Sequence, residues 1–420
     1  MKDFKPCVID GSMKEGGGQI LRTALSFSAI LKLPILVNNI RAGRSSPGLK
    51  SQHLNGLWLM KDICKAKLEG DFDGSTQISF SPNEIGNGDY YADAKTAGSV
   101  SLLLQVSLPC LIFAKPNPPS NHSFNNNINH TTLTLKGGTN ADMAPPIDFT
   151  SHILLPILKN FIPVFCNKIN DKVAESDNIQ STFQDVRTPI QAPEMDQTSN
   201  HSFKIMDIKL ELIKRGFFPK GGGEVRIYID KMEIGSDKPL NPIILINRGS
   251  IHSIDGIVYL SEQLPIDMAK EMQSVAQTFM IKHFSHIPIN IKIIHETPTT
   301  AYGPGSGIIL IARSEYDCLI SGSALGKRGV KARDVAMSAC EKLLENLNHN
   351  GCVDEYTQDQ LILFMAVAKG KSSIKTGPIT LHTESVIYVI EKMLPDLKFD
   401  ISSCEDGCNI ISCEGLGIPL

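Results

Sequence analysis

This sequence lacks an excess of either positive or negative charge. Lys and Arg number 41 and Asp and Glu 44, leaving a net charge of −3. That balance excludes a general polyanion binder, so any contact with nucleic acid must rest on a local patch. The N-terminal stretch MKDFKPCVID lacks the apolar segment a secretory leader needs, and the chain is expected not to be secreted. Long hydrophobic runs are missing too. The longest, Val100 to Ala114, is interrupted by Gln105 and Pro109 and is too short to span a bilayer, so no membrane partner is expected. The ten cysteines have no framework spacing and read as reduced thiols. Cys404, Cys408 and Cys413 lack the spacing and the fourth ligand of a metal knuckle. H-E-x-x-H, G-x-x-x-x-G-K-[ST] and G-x-G-x-x-G are all absent, and no carboxylate pair has a spacing diagnostic of glycosidase or metalloprotease chemistry.

What is present concentrates between Ile9 and His53. A short strand ends at Asp10-Gly11, a turn follows through Glu15-Gly16-Gly17-Gly18-Gln19, and a helix runs from Ile20 to about Leu31. Three consecutive glycines before a helix leave backbone N–H groups unshielded, so an anion can approach closely. A second strand, Ile35 to Ile40, delivers Arg41, Arg44, Gln52 and His53, and the arginines supply the charge such an anion requires. A solvated basic turn explains either half alone; the two together favour a phosphate site. On the helix, Ile20, Leu21, Ala24, Leu25, Phe27 and Ile30 fall mainly on one side, which turns Arg22 towards the glycine turn.

A chain of 420 residues predicts two or three domains. Residues 47–66 carry a second amphipathic pattern, strands are expected near 77–81 and 89–92, and the apolar segment 100–114 reads as a buried helix. Gln105 is the only strongly polar side chain of that segment, and a buried glutamine needs partners. Residues 115–131 and 168–203 are polar; the first reads as a long loop and the second is too poor in aliphatic residues to join a core. A strand at 132–135 leads into Gly137-Gly138, and a helix is expected around 149–160. Helix and strand stay open for 205–214. Glycine turns beginning at 16, 137 and 221 hint at a repeated strand–helix unit. From about 240 to 351 the texture changes to that of a self-contained α+β unit, and the glycine-rich texture then resumes.

His382 lies between Leu381 and Thr383, ahead of a helix expected from Ser385. Neutral imidazole is a competent nucleophile towards phosphorus. On the residue alone a structural or merely exposed histidine is the commoner case. His53 reads as a phosphate ligand or a base. Asp10, Glu15, Asp93, Asp142, Asp354, Glu355 and Asp359 supply carboxylates near the same region.

Longer motifs carry a resemblance. Glu15 to Arg22, Ile40 to Arg44 with Pro47-Gly48-Leu49 and Gln52-His53-Leu54, and Thr96 to Ser99 with Gln105 resemble the RNA 3′-terminal phosphate cyclase family. So do Gly137 to Asn140 with Ala144-Pro145, Arg215 to Val225, Asp354-Glu355-Tyr356 with Asp359-Gln360-Leu361, and Thr380 to Thr383. Only 115–131 and about 168–203 fall outside the match. The resemblance implies an α+β fold: a large domain of repeated βαβαββ units over 1–238 and 352–420, with a smaller thioredoxin-like domain inserted at 239–351.

It also implies a reaction, in which a histidine takes AMP from ATP, passes it to an RNA 3′-phosphate, and the 2′-hydroxyl displaces it to close a 2′,3′-cyclic phosphate. By this match His382 is the nucleophile, and Gln105, Pro145, Tyr356, Asp359 and Gln360 fall on ATP-binding positions. Glu15, Gly16, Gly17, Gly18, Arg22, Arg41, Arg44, Gln52 and His53 would surround phosphates or the RNA end. Glu15 is the metal candidate for a divalent cation, Mg or Mn. Lys14 departs from the glycine common at that position. The competing expectations are a non-catalytic cyclase-like branch that acts in ribosome biogenesis, which lacks the histidine, and an enolpyruvyl-transferase-like enzyme. A nuclear or cytoplasmic location follows from the resemblance alone.

Overall fold

The computed structural model describes residues 5–115, 128–166, 202–232 and 238–420. Most of 115–131 and 168–203 lies outside them.

Three segments of chain repeat one topology. In the first, β1 (Cys7–Asp10), α1 (Gly18–Leu31), β2 (Ile35–Asn38), α2 (Ser51–Ile63), β3 (Lys67–Glu69) and β4 (Ile78–Ser81) build a four-stranded sheet in the order β1-β2-β4-β3. The second contains β5 (Asp89–Asp93), α3 (Val100–Ile112), β6 (Ile128–Gly137) and a helical run from α4 (Ile147–Phe149) through a π-turn (Thr150–Leu154) to α5 (Leu155–Asn160). After a small ladder of β7 (Val164–Cys166) with β8 (Ser202–Lys204), β9 (Met206–Gly216) and β10 (Gly223–Met232) complete its sheet, β5-β6-β10-β9. The π-turn precedes Pro156, whose missing N–H and bulky ring the widened turn accommodates.

The third unit opens with β11 (Ile244–Leu245) and closes much later. Between them run β12 (Ile251–Ser261), α6 (Ile266–His283), β13 (Ile289–Glu296), β14 (Ala301–Tyr302), β15 (Ser306–Ser314), β16 (Leu319–Leu325) and α7 (Ala332–Asn348). It then continues through α8 (Glu355–Val367), β17 (Lys369–Thr376), α9 (Leu381–Met393), β18 (Phe399–Ser403) and β19 (Asn409–Leu416), with sheet order β11-β17-β19-β18. Each unit therefore reads βαβαββ. In each, the first two strands are parallel and the last two antiparallel. The fold is α+β.

The glycine turns do not mark this repeat. The turn at 16 follows a first strand, the one at 137 a second strand, and the one at 221 joins β9 to β10 as a hairpin with no helix behind it. The segment 205–214 is strand, its alternation of buried and open positions along Met206–Lys209 being that of a sheet with one covered face. β6 begins at Ile128, four residues before the expected start. β11, which a boundary at 239 assigns to the smaller domain, pairs with β17 of the third unit.

Two hydrophobic cores result. One spans all three units. The other, between the sheet β13-β12-β15-β16 and helices α6 and α7, draws only on residues 254–347. A buried ion network joins the two bodies. Arg215 of β9 donates to both oxygens of Asp148 in α4, at 2.7 and 2.8 Å, and through Nε to Glu296 of β13 at 2.6 Å. Its guanidinium also lies over the Tyr259 ring at 4.2 Å. Burial pushes the Asp148 carboxyl up, and Arg215 more than reverses that, leaving it below the ordinary range. Arg215→Ala would leave two buried carboxylates without their cation, and is expected to lower the free energy of unfolding in urea by about 3–5 kcal/mol.

Candidate active site

The three units meet at a cleft of about 500 Å³. Its wall brings together Glu15, Gly17, Gly18, Arg22, Arg41, Arg44, Gln52, His53, Gln105, Pro145, Tyr356, Asp359, Gln360 and His382. Of the phosphate and nucleotide candidates, Gly16 alone is not in the wall and is buried in the turn below; of the carboxylates named with them, Glu355 lines the cleft and Asp10, Asp93, Asp142 and Asp354 do not.

The glycines are there for close packing as much as for bare amides. A Cβ on Gly17 would collide with the Glu15 carboxylate, and one on Gly18 would meet Arg22 NH1 at 2.7 Å and His53 Nε2 at 2.9 Å. Glu15 is paired with Arg44 through one oxygen, and its other oxygen is buried without a protein partner among the described residues.

Arg22 stands at the centre. Its Nε donates to Gln105 Oε1 at 2.7 Å and NH2 to Gln19 Oε1 at 2.7 Å. Gln105 in turn donates from Nε2 to Asp359 Oδ2 at 3.4 Å. The glutamine expected to be buried is half-buried, and it bridges a cation and a carboxyl. Burial lowers Arg22 to about 10, with Asp359 and Glu15 opposing, and it remains charged at neutral pH. Burial raises Asp359 to about 7 against the pull of Arg22. Tyr356 packs edge-on against Phe149, centroids 5.5 Å apart, and burial pushes its hydroxyl up to about 12.

His53 accepts a hydrogen bond from the Lys50 backbone N–H at its Nδ1, 3.1 Å away. Burial, then Arg22, Arg41 and Lys50, push it down to about 4. It is therefore a neutral ring whose Nε2 side faces Gly18, not a cation awaiting phosphate. Arg41 is aimed by donating to the carbonyls of Ser46 and Gly48 at 2.8 and 2.9 Å.

His382 lies inside the first turn of α9, earlier than the helix start expected at Ser385, and its side chain is exposed. Thr380 caps the helix, accepting from Thr383 N–H at 3.1 Å, and a threonine at that position is the signal that would have moved the boundary. Behind the cap sits Gln358, buried to 1 % exposure. It donates to Thr376 Oγ1 and the Pro378 carbonyl, and accepts from Thr380 N–H and Thr383 Oγ1. The sequence reading missed this clamp. It missed Gln19, Leu102, Met143 and Thr380 as lining residues as well.

Helix α9 is also tied to the glycine turn. Glu15 N–H donates to Ser385 Oγ at 3.2 Å, Asp10 N–H to the Tyr388 hydroxyl at 3.3 Å, and Lys14 pairs with Glu384 at 3.1 Å. The lysine that departs from the glycine common there thus has a partner, though an exposed pair of this kind contributes little.

Among the described residues no group of three or more His, Cys, Asp or Glu is placed to hold a metal. The orphaned Glu15 oxygen fits a single protein ligand to a hard cation whose other ligands come from phosphates and water.

An exposed imidazole that shares one cleft with three arginines and a glycine turn, on a frame of three βαβαββ units, defines an α+β protein with a cationic cleft. A sequence model of the RNA 3′-terminal phosphate cyclase family matches residues 13–173 and 191–401, and the chain belongs to that family. A Drosophila melanogaster protein named RNA 3′-terminal phosphate cyclase is 34 % identical over 97 % of this chain and 96 % of its own length. One from Dictyostelium discoideum, named "Probable RNA 3′-terminal phosphate cyclase", is 35 % identical over 99 % of this chain and 83 % of its own. One from Staphylothermus marinus, named RNA 3′-terminal phosphate cyclase, is 32 % identical over 98 % of each.

His53 gives the test of the electrostatics. Its folded pKa lies below the unfolded value near 6.5, so between the two the unfolded chain binds the extra proton. Its contribution to stability is complete above about pH 6.5 and is lost as pH falls through about 4. An NMR titration should show its ring neutral at pH 5, and Arg41→Met should raise the midpoint.

Proposed function

We propose that this chain converts the 3′-terminal phosphate of RNA to a 2′,3′-cyclic phosphate at the expense of ATP. A ring nitrogen of His382 attacks the α-phosphorus of ATP and expels pyrophosphate, leaving AMP on the imidazole. An oxygen of the RNA 3′-phosphate then takes the adenylyl group and frees the histidine. Finally the 2′-hydroxyl attacks the activated phosphorus, and AMP departs as the ring closes. A terminal phosphate dianion repels a hydroxyl and has no good leaving group; adenylylation corrects both faults.

The observation that carries this reading is the exposed imidazole at the start of α9, sharing one cleft with Arg22, Arg41, Arg44 and the glycine turn. In phosphoryl transfer the protein's task is positioning and charge neutralisation, which arginines, backbone N–H groups and a helix N-terminus supply. Gln105, Pro145, Tyr356, Asp359 and Gln360 would hold the nucleotide, with Asp359 protonated or shared below about pH 7. A divalent cation, bound on Glu15 and the triphosphate, would neutralise developing charge. The same reading divides the chain into a large domain of 1–238 and 352–420 and a smaller one between them, and the separate core within 254–347 supports it.

Incubated with α-labelled ATP and Mg or Mn, the full chain should acquire one AMP that is stable to base and lost in acid. His382→Ala should abolish the label at unchanged Tm, and Gln358→Leu should slow labelling by up to about 100-fold by loosening the α9 turn. Label that persists in His382→Ala overturns the assignment. RNA binding without any label in the parent chain would instead favour a non-catalytic binding protein.

A further inference from the structure

A second hollow, of about 640 Å³, adjoins the cleft and has no part in the chemistry above. It lies between the β9–β10 hairpin, the first turn of α6, and the β16–α7 connection Gly326-Lys327-Arg328-Gly329-Val330. Its lining is mostly apolar. Phe218 of the hairpin lines it with 71 % of its surface exposed, a large area for a phenyl ring. Lys327 and Arg328 form its rim, and Lys220 and Lys331, also exposed, lie one or two residues from other lining positions.

The two hollows share an edge. Asp142 lines the groove while Met143, the next residue, lines the cleft. Met143 is 95 % exposed and held at a φ of 59°, a left-handed conformation uncommon for such a side chain. Lys327 spans from the groove rim to Asp142 at 3.0 Å. A chain whose end sits among Arg22, Arg41 and Arg44 therefore passes over Met143 into the groove.

We propose that the groove receives the RNA strand just upstream of its 3′-phosphate, a base stacking on Phe218 and a backbone phosphate meeting Arg328 and Lys327. This rests on the RNA substrate argued under Proposed function. The chemistry matches on three counts. An exposed ring in an apolar hollow is what an unstacked base seeks, cations at the rim match the phosphates, and such contacts tolerate any sequence. The groove thus selects single-stranded ends and reads no bases.

The test uses the full chain and 3′-phosphorylated, 5′-fluorescein oligoribonucleotides of two to about eight nucleotides, bound without ATP. Affinity should rise with length. Phe218→Ala should weaken the longest by about tenfold and leave the dinucleotide unchanged, and Phe218→Trp should restore it. Arg328→Ala should reduce the slope of log K against log salt by about 0.7. Labelling by α-labelled ATP should be unaffected in all three variants. A length dependence that is absent, or that survives both Phe218→Ala and Arg328→Ala, overturns the proposal and leaves the groove to a protein partner. Failure of ATP labelling in the parent chain with the length dependence intact would sink the cyclase reading and not the groove.

Discussion

A polar chain, Arg22–Gln105–Asp359, half-buried at its first two members and buried at the third, ties this structure's three units together. Each member comes from the same helix of its unit, the one that follows the first strand: α1, α3 and α8. A cation in such a place is tolerable only if it is compensated, and the compensation is arranged across units rather than within one. Moving any of the three helices would break a hydrogen bond to a buried charged group. The cleft is thus a consequence of how the repeats close on one another, and no single unit could form it.

The same closure explains α1. Its sequence has one apolar face, yet Gln19, Thr23, Ser26 and Ser28 are buried along with the aliphatic residues. Helices α2, α3 and α9 all pack on it. Its small hydroxyl residues remain inside because they find carbonyls: Ser26 Oγ donates to the Val106 carbonyl at 2.7 Å, and Ser28 Oγ to that of Leu33. Amphipathic spacing gave the element and one side of its packing. The polar burial depends on neighbours some 80 residues away in α3 and on a local loop, and no helical period encodes that.

What could be read from the chain was local chemistry. Consecutive glycines beside Glu15, arginines in the next turn, and a histidine near a helix start are residue-type facts, and the fold brings those residues together. Gln358 was illegible for a clear reason. It sits in the polar run Asp354–Gln360, which resembles a solvated helix face, and its burial depends on Thr376, Thr380 and Thr383, contributed by the following strand and helix. The repeat was glimpsed through the wrong marker, because its strand order is set by pairing, and loops at non-equivalent positions carry the glycines.

The charge balance of the cleft follows from burial. His53 is held neutral above about pH 4, and Asp359 is held protonated below about 7. Their linkages run in opposite directions: lowering the pH costs the histidine's share of stability, whereas raising it through 7 ionises a buried carboxyl and costs the aspartate's. Between those limits both groups are uncharged, and the field in the cleft belongs to Arg22, Arg41 and Arg44 against Glu15 and Glu355, the latter paired with Lys342 at 2.7 Å. Glu15 is already engaged by Arg44 through one oxygen. The surplus is positive, it is half-buried where screening by salt is reduced, and it shares the cleft with the exposed imidazole. A near-neutral protein thereby keeps a cationic point: its charges are balanced over the whole surface, and in this cleft burial silences Asp359, the carboxyl that would otherwise cancel one of the arginines.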